Sequence, residues 1–147
     1  MKDLKHFFTT EDRTFILEAI REAERKTSAE IRVHLENKAG EDIARSASET
    51  FLKTGMRKTI LRNGVLFFLA VEDRQFVVMG DDGIDSRVPD GFWDEVRDVV
   101  ADHFRTGLIA MGLAEGIRLA GDQLAKHFPR RMGDVNELPD AISYGDE

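Results

Sequence analysis

The chain has 147 residues, of which 41% are hydrophobic and 33% are charged. This length predicts a single domain, and this balance of residues excludes a wholly disordered chain. The formal net charge is −7, but five acids and no lysine or arginine follow residue 133. The rest of the chain is therefore nearly neutral, which argues against a nucleic-acid-binding protein. The absence of cysteine excludes disulfides, thiolate zinc sites and cysteine nucleophiles.

The sequence contains no apolar run long enough for a transmembrane helix. The longest such run, residues 64–71, has eight residues, whereas a bilayer requires about 20. Residues 1–8 lack the apolar region and the cleavage site of a secretory signal. We therefore expect a cytoplasmic protein that does not insert into a membrane.

The first third of the chain predicts a helix, a strand and a second helix. Thr9 and Thr10 can cap a helix that ends near Thr27 and carries apolar residues at helical spacing. Polar and apolar residues alternate over 30–36, which indicates a strand. Residues 42–53 predict the second helix.

Two further strands and an acidic loop are predicted next. Residues 64–71 are continuously apolar, as in a strand that is buried on both faces. A three-residue turn separates them from a strand over 75–79, so the two strands form an antiparallel hairpin. The acidic loop 80–85 follows, in which Gly80 and Gly83 allow sharp bends.

The last part of the chain predicts two helices. Asp90 can cap the first, which ends near Gly107. The second covers residues 108–127, and the spacing of Gly112 and Gly116 predicts a close approach by another element.

The predicted order of elements is α-β-α-β-β-α-α. The first two strands are joined by a helix, so we expect them to be parallel with a right-handed connection. The fold class is therefore α/β, a three-layer sandwich in which helices cover both faces of a small mixed sheet. We expect one domain over residues 1–129, followed by an acidic tail over residues 130–147.

This topology gathers polar residues at the end of the sheet where the first two strands begin. Carboxylate, amide and carbonyl oxygens are the ligands of Ca²⁺ or Mg²⁺, and clustered carboxylates favour Ca²⁺. The spacing differs from an EF-hand loop, and an acidic surface turn is the alternative interpretation. The candidate metal ligands are Glu30, Asn63, Asp81, Asp82 and Asp85.

Two other groups of charged residues are alternative candidate sites. The opposite end of the sheet, where open α/β sheets bind ligands, carries Glu36, Asp42, Glu72 and Asp73. Asp73-Arg74 in the tight hairpin is more simply explained as a turn with a local ion pair than as part of a site. A basic connector precedes the apolar strand and can hold a phosphate or an acidic partner, or simply face solvent. Its cations are Lys53, Arg57, Lys58 and Arg62.

No standard catalytic motif occurs in the sequence. There is no G-x-S-x-G elbow, no Walker A loop and no G-x-G-x-x-G fingerprint. The four histidines do not form a zinc-binding pattern. The catalytic residues, if any, are therefore unknown from motifs.

Several segments together resemble the TPM domain, the family that joins a thylakoid lumen protein, a photosystem II repair protein and a nematode receptor-associated protein. Thr27-Ser-Ala-Glu-Ile-Arg-Val33 is similar to its T-x-x-E-I-x-V signature, and residues 63–70 resemble its N-G-V-L-L-L-x-A strand. Asp73-Arg74 and Gly80-Asp-Asp-Gly83 follow in the expected order. The likeness extends from about residue 8 to residue 128.

The resemblance implies an α/β sandwich and a choice of functions. Some family members bind divalent cations, chiefly Ca²⁺, and acid phosphatase activity has been attributed to plant members. The tail is similar to that of short bacterial members without a signal peptide or membrane anchor. The family often accompanies membrane-associated partners. Carried over, the resemblance favours a metal site that includes Glu30, Asp81, Asp82 and Asp85.

Three hypotheses follow. The first is a domain with a binding or regulatory role that binds a divalent cation, Ca²⁺ in first place. The second is a metal-assisted acid phosphatase of low activity, in which Arg57, Lys58 or Arg62 holds the phosphate and an aspartate of loop 80–85 is the base or nucleophile. The third is a protein-interaction module that uses the acidic tail or the basic connector.

Overall fold

The computed structural model describes residues 4–130 and 142–145. The acids of the predicted tail (Asp134, Glu137, Asp140, Asp146 and Glu147) lie outside these residues. The helices are a short 3-10 turn Leu4–His6, α1 Thr10–Lys26, α2 Ile43–Lys53, α3 Asp82–Asp85, α4 Asp94–Arg105 and α5 Ile109–Ala125. The strands are β1 Glu30–Glu36, β2 Gly64–Ala70, β3 Gln75–Gly80 and β4 Ile142–Tyr144.

The strands form one mixed sheet in the order β3-β2-β1-β4. β1 and β2 are parallel, with Glu30 opposite Gly64, whereas β2 and β3 are antiparallel, with Val65 opposite Gly80. The predicted crossover and hairpin are therefore both confirmed. This register brings the starts of β1 and β2 and the end of β3 to the same end of the sheet.

Helices cover both faces of the sheet, as the predicted α/β sandwich requires. On one face, Val33 and Phe67 lie in a large core with residues of α1 and α5, such as Ile20 and Ile117. On the other face, a smaller core under α2 contains buried apolar side chains: Ala47, Phe51, Met56, Leu66 and Phe68. Every residue of β2 is buried, so this strand is the centre of the molecule.

β4 was not predicted from the sequence. Its residues lie at the end of the chain and pair in parallel with Val33 to Leu35 of β1. The Ser143 hydroxyl lies 2.7 Å from Nδ1 of His34, and the backbone N–H of Gly145 donates to the carbonyl of Leu35. Part of the chain beyond residue 130 is thus a strand of the sheet.

The boundaries of most elements follow local signals, with two exceptions. α1 has the cap expected at Thr9, which the structure extends to a capping box: the Thr9 hydroxyl accepts from the Asp12 N–H, and the Asp12 carboxylate accepts from the Thr9 N–H. α4 begins at Asp94 rather than directly after Asp90, because Gly91 has a positive φ of 77° and interrupts the helix. Part of the predicted acidic loop is instead the short helix α3.

None of the helices in the described residues combines the length and apolarity needed to cross a membrane.

Glycines in α5 allow its two neighbouring helices to approach closely, as the spacing of Gly112 and Gly116 predicts. A Cβ on Gly116 would lie 2.5 Å from Cγ2 of Val100 in α4. On the α1 side, a Cβ on Gly121 would lie 2.6 Å from Cβ and 2.8 Å from Cα of Ala23. α5 therefore packs this closely against α4 and α1 because glycines stand at the two points of contact.

Gly121→Ala tests this close contact. In a free helix the change would be favourable by about 1 kcal/mol. Here we expect a net loss of about 1–3 kcal/mol of unfolding free energy, because the new methyl group overlaps the backbone of α1. The measurement is chemical denaturation, with the exposed neighbour Asp122→Ala as the control. That control loses only a surface ion pair with Lys26, at 2.8 Å, and should change stability by less than about 0.5 kcal/mol. A rise in stability for Gly121→Ala would contradict the packing argument.

Candidate functional site

The sheet end that was predicted to bind a cation gathers the backbones of three of the candidate ligands. The N–H of Glu30 donates to the carbonyl of Asn63 at 3.1 Å. The N–H of Asp81 donates to the carbonyl of Gly64 at 2.9 Å, which continues the β2–β3 pairing past the end of β3. Asp82 and Asp85 follow directly, as the first and last residues of α3.

Asp81 is buried and is bound by an arginine of the connector. Its carboxylate accepts from Nε of Arg62 at 2.7 Å and from Nη2 of the same side chain at 2.8 Å. It also accepts from the N–H of Asp82 at 2.7 Å and so caps α3. Such a bidentate ion pair is among the stronger polar contacts in proteins.

The pKa of Asp81 reflects this arrangement. Burial by itself would raise it, but the hydrogen bonds from Arg62 and from the N–H of Asp82 outweigh burial, and the pKa is lowered. The charged form of Asp81 is therefore the form that the fold stabilises.

Asp82 and Asp85 differ from Asp81 in exposure and in partners. The Asp82 side chain is 80% exposed and lies 3.3 Å from Nη2 of Arg62 and 3.7 Å from Nη2 of Arg57. Asp85 is also exposed and has no ion pair with another described residue. Partial burial, followed by the charges of Asp82 and Asp81, raises the pKa of Asp85. The group thus contains one carboxylate that is repelled by its neighbours and not neutralised by an arginine.

Glu30 and Asn63 are both buried, so neither is an open surface ligand. The Asn63 amide donates to the carbonyl of Ser28 at 2.7 Å, and the Asn63 backbone N–H donates to the hydroxyl of Thr59. The Oδ1 atom of Asn63 is buried and accepts no hydrogen bond from the described residues. Glu30 is 3% exposed. Among residues 4–130 and 142–145, no three His, Asp or Glu side chains are arranged to hold a metal ion.

The two glycines of this segment act through their size. Neither Gly80 nor Gly83 has a positive φ, so the backbone conformations that only glycine adopts readily are not used here. A Cβ on Gly83 would instead overlap the carbonyls of Leu61 and Arg62, and the Gly83 N–H donates to the Arg62 carbonyl at 2.9 Å. This contact holds α3 against the basic connector. Sequence spacing could not reveal it, because the partners are about twenty residues apart.

The opposite end of the sheet uses its acids to stabilise local structure. Asp42 caps α2, and the Asp73 carboxylate accepts from the N–H of Ala39 at 2.7 Å. The Glu36 carboxylate lies 3.2 Å from Nε2 of His34. Burial lowers the pKa of His34, although Glu36 opposes that shift. The Asp42 cap agrees with a structural role in a local turn. Asp73 instead joins the β2–β3 turn to the loop after β1, 34 residues away, and forms no ion pair with Arg74 in the described structure.

Asp81→Asn and Asp85→Asn should change stability in opposite directions. Asn can still cap α3, so Asp81→Asn removes mainly the charge that Arg62 binds. We expect it to lower the unfolding free energy by about 1–2 kcal/mol at neutral pH. Asp85→Asn removes a repelled charge and should raise stability at neutral pH.

Both differences should shrink in acid, for different reasons. A lowered pKa stabilises the fold above the unfolded value of about 3.9, and this contribution is lost as the pH falls through the folded pKa. The raised pKa of Asp85 costs stability above the unfolded value of about 3.9, and the full cost is reached above the folded pKa. Thermal unfolding with a chelator, from about pH 7 down to about pH 3, measures both effects. Parallel curves for the two variants would contradict the assigned charges.

Comparison with known proteins gives the family and the fold. A family model described as the TPM domain matches residues 1–123. The NMR structure of protein BA42 from the psychrophilic bacterium Bizionia argentinensis is 45% identical in sequence, with a TM-score of 0.91. That match covers 99% of this chain and 100% of BA42. A search of curated proteins found no match.

Two more distant NMR structures share the fold alone. One is the N-terminal domain of a P. gingivalis protein, with 22% identity and a TM-score of 0.62, covering 84% of this chain and 82% of that one. The other is the N-terminal domain of cg2496 from Corynebacterium glutamicum, with 16% identity and a TM-score of 0.61, covering 93% and 80%. The resemblance carried by the sequence motifs is confirmed, and the chain belongs to the TPM domain family.

Proposed function

We propose that this protein binds a divalent cation, Ca²⁺ in first place, at the acidic cluster of Asp81, Asp82 and Asp85, where the exposed carboxylates of Asp82 and Asp85 would hold the ion and water would fill most of its coordination shell. The described side chains do not surround a single point from three sides, so such a site would be open to solvent. The observation that carries the proposal is the placement of Asp82 and Asp85 as the first and last residues of one helical turn that Asp81 caps, which gathers three like charges, and Asp85 has no ion pair among the described residues. A divalent cation would relieve this repulsion. Family membership supports the proposal, since Ca²⁺ binding is the property that the resemblance implies.

The cation would be held mainly by exposed oxygens. Asp82 and Asp85 are the first and last residues of one helical turn and are open to solvent. Ca²⁺ takes six to eight oxygen ligands in flexible geometry, so waters and backbone carbonyls would complete its shell. Asn63 and Glu30 lie at the same end of the sheet but are buried, although Oδ1 of Asn63 accepts no hydrogen bond from the described residues. The proposed site therefore uses fewer side-chain ligands than the five predicted from the sequence.

Arg62 is the competitor of the cation at this cluster. Its guanidinium already neutralises Asp81 and reaches Asp82. A cation that uses these carboxylates has to share them with Arg62 or displace it. This competition predicts a modest affinity for the cation, and it predicts that replacing Arg62 raises that affinity.

Calorimetric titration of chelator-treated protein with Ca²⁺, repeated with Mg²⁺, tests the proposal. We expect saturable Ca²⁺ binding that the double variant Asp82→Asn/Asp85→Asn weakens by about tenfold or more. Arg62→Gln should tighten binding, because it frees Asp81 and Asp82.

The charge-matched control is Glu41→Gln/Glu72→Gln. It removes two exposed carboxylates that follow β1 and β2, at the end of the sheet away from the acidic cluster. Ca²⁺ affinity should be unchanged. Absence of heat with either ion, together with an unchanged melting temperature, would refute cation binding. Equal affinity for the wild type and the Asp82/Asp85 variant would place the cation elsewhere.

A metal-assisted phosphatase is the second candidate, favoured by the two arginines that face Asp82. Nη2 of Arg57 and Nη2 of Arg62 both lie within 4 Å of the same Asp82 carboxylate oxygen, at 3.7 and 3.3 Å. Guanidinium groups bind phosphate oxygens well, and a cation beside them would polarise a phosphoryl group. Asp82 would then be the base that accepts a proton from water.

Hydrolysis of p-nitrophenyl phosphate tests this second candidate. We expect slow turnover that requires Ca²⁺ or Mg²⁺ and that falls by about tenfold or more in Arg57→Gln. Arg45→Gln is the control, because Arg45 is an exposed arginine on α2, at 79% against 47% for Arg57, and pairs only with Glu49 in the described structure. Turnover that persists in Asp82→Asn/Asp85→Asn would exclude this cluster as the active site.

A further inference from the structure

A cavity at the other end of the sheet is separate from the acidic cluster. It has a volume of about 760 Å³ and lies where β2 ends and β3 begins, beneath α4 and the start of α5. Its apolar wall is formed by side chains from β2, β3, α4, α5, the β2–β3 turn and the segment before α1: Phe7, Leu69, Val71, Phe76, Phe104 and Ile109. This volume is within the range of about 300–1,000 Å³ that is typical of small-molecule sites.

The aromatic part of the wall is built from contacts between distant segments. The rings of Phe76 and Phe104 are 5.9 Å apart in an edge-on arrangement, and Phe76 also lies 5.9 Å from Phe67 in the core. The wall is thus continuous with the main core rather than a set of mobile surface side chains. A core-supported apolar wall favours a pre-formed site.

All charged residues that line the cavity are arginines: Arg74, Arg97 and Arg105. Arg97 and Arg105 pair within α4 with Asp94 and Asp102, three residues earlier in each case. These pairs are half or more exposed, at 50% and 72% for the two arginines, so they hold the guanidinium groups weakly. Arg74 has no ion pair with another described residue and is exposed in the β2–β3 turn.

We propose that this cavity binds a small amphiphilic anion, namely an aliphatic carboxylate of medium chain length. The apolar wall would hold the hydrocarbon chain, and the arginines at the rim would bind the carboxylate. Arginine is the side chain best suited to such a head group, because it presents two parallel donors to a carboxylate. Among the described residues, the lining combines one apolar wall with three arginines and no acid, which favours an anionic ligand over a cationic or a neutral one.

The location agrees with a general property of the fold. Open α/β sheets bind ligands beyond the carboxyl ends of their parallel strands, and Leu69 and Val71 lie at that end of β2. The acidic cluster lies at the start of β2. The proposed site therefore does not depend on cation binding.

The test uses anilinonaphthalene sulfonate, a fluorescent aromatic anion, as the probe, and decanoate as its competitor. We expect saturable fluorescence that decanoate displaces, and that decanol, which has the same chain without the charge, displaces about tenfold less well. Arg74→Gln and Arg105→Gln should each weaken decanoate about three- to tenfold without a change in melting temperature. Arg45→Gln, on the opposite helical layer, should have no effect.

A variant that fills the cavity with a large side chain tests whether the probe binds there. Ala101→Trp, in the part of α4 that lines the cavity, should abolish probe binding while circular dichroism reports an unchanged fold. Equal displacement by decanol and decanoate would reduce the cavity to an apolar patch and overturn the proposal. So would probe binding that survives Ala101→Trp. Concentration-dependent dimers in sedimentation that Ala101→Trp abolishes would instead make this face an interface between copies.

Discussion

The complete burial of β2 is the constraint on which the rest of the structure depends. All seven of its residues, Gly64–Ala70, are buried, so neither face of this strand can be left to water. α2 must therefore cover one face, and α1 and α5 the other. Because β1 and β2 are parallel, the chain between them has to cross over the sheet, and α2 in this connection covers that face of β2. The small residues of α5 then allow its neighbours to come close enough to close the core.

The two ends of this buried strand have opposite chemical character. At its start, the chain enters from the basic connector and meets the acidic turn after β3, where Arg62 binds Asp81. At its end, apolar side chains continue into a cavity with arginines at its rim. The proposed cation and the proposed carboxylate would thus bind at opposite ends of one rigid strand. A binding or regulatory role is compatible with such an arrangement, because each ligand could stabilise the fold without contacting the other.

Local patterns were sufficient to predict most elements. The alternation in residues 30–36 predicted β1 exactly, and the capping residues near Thr9 predicted the start of α1. Prediction failed where short segments depend on distant partners. α3 is only four residues long and is held by Asp81 and by the Gly83 contact with the connector. β4 has three residues and exists as a strand because the edge of β1 is available for pairing.

The sequence by itself determined the fold class, the family and the sheet end where the acids meet, because periodicity, capping and chain connectivity are local or topological properties. Only the tertiary structure decided which charges remain available. Arg62 and Asp81 are nineteen residues apart and form a two-pronged ion pair that no spacing indicates. The cavity likewise brings Arg74 of the β2–β3 turn and Arg105 at the end of α4 to one rim. Contacts between distant residues depend on the packing of helices against β2, and that packing exists only once the whole core has formed.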